Sequence, residues 1–290
     1  MTHNGTEQSA NDAPRGIFIT FEGGEGAGKS THIRFLAKKL TERHREVVCL
    51  REPGGTPIGE RLRAVVLDPA HDAMADETEL LIYEAARAQI TAEVIEPALA
   101  RGAVVLCDRF TDSTIAYQVC GRGLPRDLVE RASAFATRGI VPDRTILLVT
   151  GGSAKTGLAR ATHRTGADRL EGAGVDFHAR VNRAFLELAA EDPARIRVVT
   201  SAAKKSETSQ AIFAELADLF PWMDEVVAAP GDFFKPLDRP RKKRGGRTGG
   251  SRPHAANRPK SGSRPGSANR PSSGTRPSDG SGGGSAARKA

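Results

Sequence analysis

The stretch Gly16-Ile-Phe-Ile-Thr-Phe-Glu-Gly-Gly-Glu-Gly-Ala-Gly-Lys-Ser30 joins an apolar run of strand length to a glycine-rich loop. The loop matches G-x4-G-K-[ST], and an amphipathic stretch follows it. A strand, this loop and a helix in that order form a P-loop, whose backbone N–H groups and helix N-terminus surround phosphates. Lys29 is expected to reach the terminal phosphates, and the Ser30 hydroxyl to bind Mg²⁺. The predicted nucleoside triphosphate site consists of Gly23, Gly24, Glu25, Gly26, Ala27, Gly28, Lys29, Ser30 and Thr31.

Four more apolar runs of strand length follow, at residues 47–50, 103–107, 145–149 and 196–199. Amphipathic stretches of helix length separate the runs, at residues 30–43, 76–100, 128–137, 175–190 and 208–219. Strands that alternate with helices predict βαβ units and a parallel sheet. The runs show little polar alternation, which is typical of strands buried on both faces. The predicted fold class is therefore α/β, with a five-stranded parallel sheet and helices on both faces.

The net charge of +8 is distributed unevenly over the 290 residues. Residues 235–290 contain fifteen Lys and Arg against two Asp, a balance of +13, which leaves −5 for residues 1–234. Arg-Pro recurs every six residues, at 252, 258, 264, 270 and 276, among small and polar residues. Such a segment buries too little apolar surface to offset its ordering entropy. We therefore predict a flexible arm over 1–14, one domain over 15–222, and a linker with a disordered basic tail over 223–290.

Cysteine usage and hydropathy exclude several classes of protein. Cys49, Cys107 and Cys120 have neither paired nor metal-ligand spacing, which argues against a disulfide scaffold and a structural zinc site. No apolar run approaches the ~18 residues that span a bilayer. Residues 1–14 lack the apolar centre of a secretory signal. We expect a cytoplasmic protein with no membrane partner.

Charged residues follow two of the predicted strands. Arg51 follows the second strand, and Asp108 and Arg109 follow the third. Ligands of an open parallel sheet bind at the carboxyl ends of its strands, so these side chains are expected beside the P-loop. A guanidinium group binds phosphate bidentately. The two arginines therefore indicate a second phosphate, positioned for in-line transfer.

Several motifs together resemble those of thymidylate kinases of the bacterial type. They are the P-loop, Arg51-Glu-Pro-Gly-Gly-Thr56, Asp108-Arg-Phe110 with Ser113 and Ala116-Tyr-Gln118, and Asp168-Arg-Leu-Glu171. The resemblance covers roughly residues 16–219. It implies the P-loop nucleoside monophosphate kinase-like fold with a lid. It also implies the magnesium-dependent reaction ATP + dTMP → ADP + dTDP, in dTTP biosynthesis, and a homodimer.

The resemblance assigns three residues to the sugar and phosphate of dTMP. Glu25 is implied to accept a hydrogen bond from the sugar 3′-OH, a role that suits an acceptor-only carboxylate. Arg51 and Arg109 are implied to hold the monophosphate. Asp108 is implied to support Mg²⁺, so that Ser30 and Asp108 are the predicted metal-binding pair.

Four further residues are assigned to the nucleoside of dTMP. Tyr83 and Arg87 are spaced i, i+4 and therefore share a helix face. The resemblance implies that Tyr83 stacks on thymine and that Arg87 donates to a thymine carbonyl. It also implies that Tyr117 packs under the deoxyribose and that Ser113 contacts the base.

The stretch over residues 160–174 is basic and rich in small residues, which fits a mobile lid. One branch of the family carries an arginine inside the P-loop, where this chain has Gly26, and the bacterial branch supplies the charge from the lid. The resemblance therefore implies that Arg164 and Arg169 contact the phosphates, with Arg160 as a further candidate. The predicted catalytic residues are Lys29, Asp108, Arg109, Arg164 and Arg169.

Two other functions remain open on the sequence. The first is another P-loop kinase for a different nucleoside or nucleotide. A GTPase is disfavoured, because no [NT]KxD motif occurs in the chain. The second is a nucleic-acid-associated protein, in which the basic tail binds polyanions weakly and without sequence preference.

Overall fold

The computed structural model describes residues 15–150 and 169–239. Its five strands are β1 (Ile17–Glu22), β2 (Val47–Arg51), β3 (Val104–Asp108), β4 (Arg144–Thr150) and β5 (Ile196–Ser201). Its α-helices within these ranges are α1 (Lys29–Thr41), α2 (Pro57–Leu67), α3 (Asp76–Ile90), α4 (Glu96–Ala100), α5 (Thr111–Thr114), α6 (Arg126–Ala136), α7 (Val175–Glu191), α8 (Lys205–Ala214) and α9 (Trp222–Ala228).

The five strands form one parallel sheet in the order β2-β3-β1-β4-β5. The predicted α/β fold class is confirmed, and each predicted strand lies within two residues of the observed one. The strand β1 lies at the centre, with Phe21 opposite Asp108 of β3. Asp108 is in turn opposite Arg51 of β2. The carboxyl ends of three adjacent strands therefore meet at one edge of the sheet, next to the P-loop.

Helices cover both faces of the sheet, so its apolar side chains are buried on either side. The largest buried cluster joins the sheet to α1 and α8 and includes Phe35, Leu36 and Phe213. Two further clusters involve α3, α4, α7 and the segment after β3. This double coverage explains the nearly continuous apolar strands of the sequence.

A buried polar network connects the central strand β1 to its neighbour β4. The hydroxyls of Thr20 and Thr145 lie 2.7 Å apart, and both residues are fully buried. Thr145 also donates to Asp112 at 3.1 Å. Asp112 accepts two hydrogen bonds from Arg195, 2.8 and 2.9 Å long. Both hydroxyls are therefore satisfied inside the sheet.

The helices differ from the prediction in several places, and the helical segment over residues 111–121 was not predicted. Helix α2 was not predicted, although Thr56 caps it by accepting a hydrogen bond from Gly59 N and Pro57 occupies its first turn. The predicted helix over 76–100 is interrupted by a π-helical turn at Thr91–Ile95. Pro97 follows that turn, and proline has no N–H to donate within a helix.

The structure corrects the predicted end of the domain at residue 222. Residues 222–239, here named the C-terminal extension, begin with helix α9 and pack against α1 and α8. Phe234 is only 3% exposed and contacts the rings of Phe35 and Phe213. These residues belong to the same compact unit as the sheet and the P-loop. The arm over 1–14 and most of the predicted basic tail lie outside the described residues.

Across the described ranges, no helix is both long enough and apolar enough to traverse a bilayer.

Candidate active site

A cleft of about 1120 Å³ lies at the carboxyl edge of the sheet and contains the P-loop. Two of the P-loop glycines are required by the backbone. Gly23 has φ 123°, and a Cβ there would lie 2.1 Å from the Leu148 carbonyl oxygen. Gly28 has φ 97° and caps the N-terminus of α1. The loop can therefore wrap closely around a phosphate chain without side chains in the way.

Lys29 is buried at the base of this loop. Its Nζ donates to the carbonyl oxygens of Gly23 at 3.0 Å and Gly24 at 3.3 Å, and it lies 4.0 Å from Asp108 Oδ1. Burial lowers the pKa of the Lys29 ammonium. The Ser30 hydroxyl donates to Asp108 Oδ2 at 2.8 Å. The predicted phosphate-binding lysine and the predicted metal-binding pair therefore share one corner of the cleft.

Arg109 connects the end of β3 to the P-loop. Its backbone has φ 74°, an uncommon conformation for a residue other than glycine. Its guanidinium pairs with Glu25 and also donates to Tyr117 Oη at 3.2 Å and to Ser113 Oγ at 3.0 Å. Arg109 lowers the pKa of the Glu25 carboxyl to about 2, against the opposing effect of burial. Four of the predicted dTMP-binding residues are thus joined in one hydrogen-bonded group.

Glu22, at the end of β1, belongs to this group and was not among the predicted residues. Its carboxyl accepts from the Phe110 backbone N–H at 2.7 Å and from the Ser113 hydroxyl at 2.6 Å. Burial raises its pKa to about 7, and the nearby Asp112 contributes in the same direction. Glu22 fixes the turn that carries Arg109. An acidic residue that ends an otherwise apolar strand is the only sequence signal for this role.

The predicted acceptor residues Arg51 and Tyr83 both line the same cleft. The Arg51 guanidinium is about half exposed, donates to the Pro53 carbonyl at 3.0 Å and pairs with Glu60 at 2.8 Å. The structure therefore brings Arg51 to the cleft together with Arg109.

Arg87 lines the cleft but is almost fully buried. Its guanidinium pairs with Glu52 at 2.8 Å and with Glu84 at 2.6 Å, and it donates to the Phe110 carbonyl at 3.2 Å. Burial raises the pKa of Glu52 to about 7. Arg87 therefore holds three segments together, a structural role that the sequence prediction of a base contact did not include.

Arg169, a predicted phosphate contact of the lid, is not among the residues that line the cleft. It pairs with the fully buried Glu79 of α3, which also binds Arg122 and Gln118. The Arg169 backbone N–H donates to the Leu67 carbonyl at 3.2 Å. Residues 160–168, with Arg160 and Arg164, lie outside the described residues. Of the predicted lid, Leu170 lines the cleft.

The fold and this site define a class of protein. A parallel sheet in the order 2-3-1-4-5, a P-loop after the central strand, and arginines at the two neighbouring strand ends define a P-loop nucleotide phosphotransferase. Comparisons with known proteins narrow the class. The family model described as thymidylate kinase matches residues 21–212. The chain belongs to the thymidylate kinase family.

Individual relatives agree with this assignment. The chain is 48% identical over 212 residues to a thymidylate kinase of Geobacter sulfurreducens, covering 71% of this chain and 99% of the relative. It is 53% identical over 180 residues to one of Pseudomonas fluorescens, covering 62% of this chain and 85% of the relative. A crystal structure of thymidylate kinase from Ehrlichia chaffeensis superposes with a TM-score of 0.58 at 29% identity, covering 70% of this chain and 100% of that one.

Proposed function

We propose that this chain transfers the γ-phosphoryl group of ATP to dTMP, producing ADP and dTDP. One observation carries the proposal. The P-loop lysine, Lys29, and the predicted acceptor residues Arg51 and Arg109 line a single cleft, where Glu25 of the P-loop pairs with Arg109. A donor phosphate bound at Lys29 and an acceptor phosphate bound at the arginines would then approach each other in line. Membership of the thymidylate kinase family supports dTMP as the acceptor.

The reaction needs no general base. The second pKa of a phosphate monoester is about 6, so the attacking oxygen of dTMP is already largely ionised at neutral pH. The barrier lies in bringing two anions together and in stabilising the charge on the transferring phosphoryl group. Lys29, Arg51 and Arg109 supply three positive charges around that path. Closure over the cleft would also exclude water and so limit hydrolysis of ATP.

The residues at the P-loop fit a magnesium ion bound with ATP. Ser30 Oγ and Asp108 Oδ2 lie 2.8 Å apart, and hydroxyl and carboxylate oxygens are the ligand types that Mg²⁺ prefers. Ser30 would bind the ion directly, and Asp108 would hold Ser30 and the water ligands. The ion would neutralise phosphate charge in the transition state.

A pair of substitutions tests the assignment of the two phosphates. Lys29→Ala is expected to lower kcat by at least about 100-fold, because it removes charge stabilisation at the transferring group. Arg109→Ala is expected to weaken dTMP binding about tenfold or more while leaving ATP binding nearly unchanged. A coupled assay of turnover measures the first effect, and calorimetric titration of each nucleotide measures the second, with circular dichroism as a folding control. Normal turnover by folded Lys29→Ala, or loss of ATP binding in Arg109→Ala, would contradict the proposal.

A substrate panel separates this reaction from the alternative of another nucleotide kinase. We expect turnover with ATP, magnesium and dTMP, and little with CMP, GMP or AMP, because the chain belongs to the thymidylate kinase family. A higher kcat/KM with any other nucleoside monophosphate would reject the dTMP assignment.

We also propose that the enzyme is a homodimer. The adjacent helices α2, α3 and α6 expose large apolar side chains, and Phe135 of α6 is 86% exposed. A second copy of the chain would cover these side chains. Analytical ultracentrifugation should show a dimer for the natural chain and a monomer for Phe135→Asp. A natural chain that sediments as a monomer at micromolar concentration would reject the proposal.

The basic tail, finally, is proposed to bind polyanions weakly and to be dispensable for catalysis. Its support is the balance of +13 over residues 235–290. Binding by counterion release falls steeply as salt rises and does not read bases. Salt titrations of DNA and RNA binding should show this for the full chain and not for a 1–239 truncation. Equal binding by both proteins would exclude the tail as the source.

A further inference from the structure

The C-terminal extension, residues 222–239, lies beyond the family match at 21–212 but is packed into the described domain. Phe233 and Phe234 pack against Phe35 of α1 and Phe213 of α8. Lys39 of α1 lies 4.3 Å from the Phe233 ring centroid. The extension is therefore fixed on α1, the helix that follows the P-loop, and so it is held at a constant position relative to that loop.

The end of the extension is anchored at a second point. Asp238 accepts hydrogen bonds from the backbone N–H of Ser206, at 3.1 Å, and from the Ser206 hydroxyl. Ser206 lies in the first turn of α8, where backbone N–H groups lack helical partners. Asp238 thereby holds the chain against the N-terminus of α8 at residues 236–239.

The cleft has two ends that differ in their residues. Arg51, Tyr83, Arg109 and Tyr117 line the acceptor end. A second group of lining residues, here named the donor end, consists of His32, Phe35, residues 201–203, Lys205 and Thr208. This group adjoins the P-loop, because Ser201 Oγ donates to the Ala27 carbonyl at 3.3 Å. In-line transfer places the γ-phosphate between the two nucleosides. The nucleoside of the phosphate donor must therefore lie at the donor end.

The extension contributes to the donor end directly. Pro236, Leu237 and Arg239 line the cleft there. Pro236 and Leu237 present apolar surface suited to the face of a purine base, and a guanidinium such as that of Arg239 stacks on bases or pairs with phosphate. His32 also lines this part of the cleft and is fixed by a 2.7 Å hydrogen bond to Ser209.

We propose that residues 236–239 form one wall of the binding site for the base and ribose of the donor nucleotide. This inference rests on the proposed function, in which a nucleoside triphosphate is the phosphoryl donor. It makes the extension part of the enzyme's substrate site, in addition to its packing role. Asp238 is a positioning residue, because it holds the wall through Ser206.

Two truncations test the wall. A chain that ends at Arg239 keeps the wall, whereas a chain that ends at Phe234 removes it and leaves the packed aromatic rings. The probe is Mg²⁺-ADP, titrated by calorimetry without dTMP, and dTMP is titrated in parallel. We expect the Kd for ADP to rise about tenfold, or about 1.4 kcal/mol, in the shorter chain relative to the longer one. The Kd for dTMP should stay within twofold.

Point variants of the full chain provide a test that does not depend on folding of the shorter truncation. Leu237→Ala combined with Arg239→Ala should reproduce much of the loss, with KM for ATP raised and KM for dTMP unchanged. Lys235→Ala is the matched control, because Lys235 is 69% exposed and does not line the cleft. Thermal unfolding confirms that each variant is folded.

Two outcomes separate the possible failures. If the full chain phosphorylates dTMP but the wall variants bind ADP as the control does, the wall is rejected and the proposed function stands. If the full chain neither binds ADP nor phosphorylates dTMP, the proposed function fails, and the wall fails with it.

Discussion

Replacement of Phe234 by alanine tests whether the C-terminal extension is part of the folded domain. The ring is 3% exposed, with centroids 5.1 Å from Phe213, 4.9 Å from Phe233 and 5.9 Å from Phe35. Truncating a buried phenylalanine to alanine costs about 3–5 kcal/mol. The lower part of that range applies because the extension lies at the edge of the core and can partly relax. We therefore expect a loss of about 3 kcal/mol.

Thermal and urea unfolding of the full chain measure this loss. At about 2–4 °C per kcal/mol for a domain of this size, Tm should fall by about 6–12 °C. Lys235→Ala, an exposed change in the same segment, should shift the free energy of unfolding by less than about 0.5 kcal/mol. Equal stability of the Phe234→Ala and Lys235→Ala variants would refute the packing argument and return the domain boundary to residue 222.

Three further substitutions test buried polar groups. Glu79→Gln should destabilise the protein by about 3 kcal/mol in urea unfolding, because it removes the buried carboxylate that Arg122 and Arg169 share; a loss below about 1 kcal/mol would contradict this. The pKa of Glu22 is about 7 in the folded chain, against 4.5 for an ordinary glutamate. The folded state therefore holds this proton more tightly, and the resulting stabilisation is complete below pH 4.5 and is lost as pH rises through 7. Glu22→Gln should therefore reduce the decline in unfolding free energy between pH 4.5 and 7 by up to about 3 kcal/mol. The same dependence of unfolding free energy on pH in both proteins would contradict the raised pKa. Thr20→Val should cost about 1 kcal/mol by calorimetry, since the Thr145 hydroxyl loses a buried partner, and no cost would count against the network.

The sheet and the P-loop could be predicted because their signals are local. Each strand is a short apolar run, and the strand, glycine-rich loop and helix follow one another without a break from Ile17 to Thr41. Helix α2 also carried a local signal, Thr56-Pro57 with Glu60 in the first turn, but its mixed composition masked the helical periodicity. Cap residues would have identified it where hydrophobic periodicity did not.

The partners of the arginines could not be predicted, because they depend on contacts between residues distant in sequence. Arg87 pairs with Glu52, 35 residues away, and Arg169 pairs with Glu79, 90 residues away. An arginine near a phosphate site and an arginine in a buried ion pair look the same in a sequence. The extension was missed for a similar reason, since Phe233 and Phe234 follow a Pro-Gly pair outside any regular pattern and their contacts form only when α1 and α8 have packed.

The hydroxyl pair of Thr20 and Thr145 has a consequence for how the sheet assembles. Parallel strands form contacts between residues far apart in sequence, so such sheets fold slowly and are exposed to mispairing. A slip of one residue between β1 and β4 would turn one hydroxyl to the opposite face of the sheet. In the misaligned state the Thr20 hydroxyl would lose its buried partner, at a cost of about 1–3 kcal/mol for an unsatisfied buried group. The polar network in the middle of an apolar sheet therefore raises the free energy of the misaligned state relative to the native one. Chains that mispair can then realign more readily during folding.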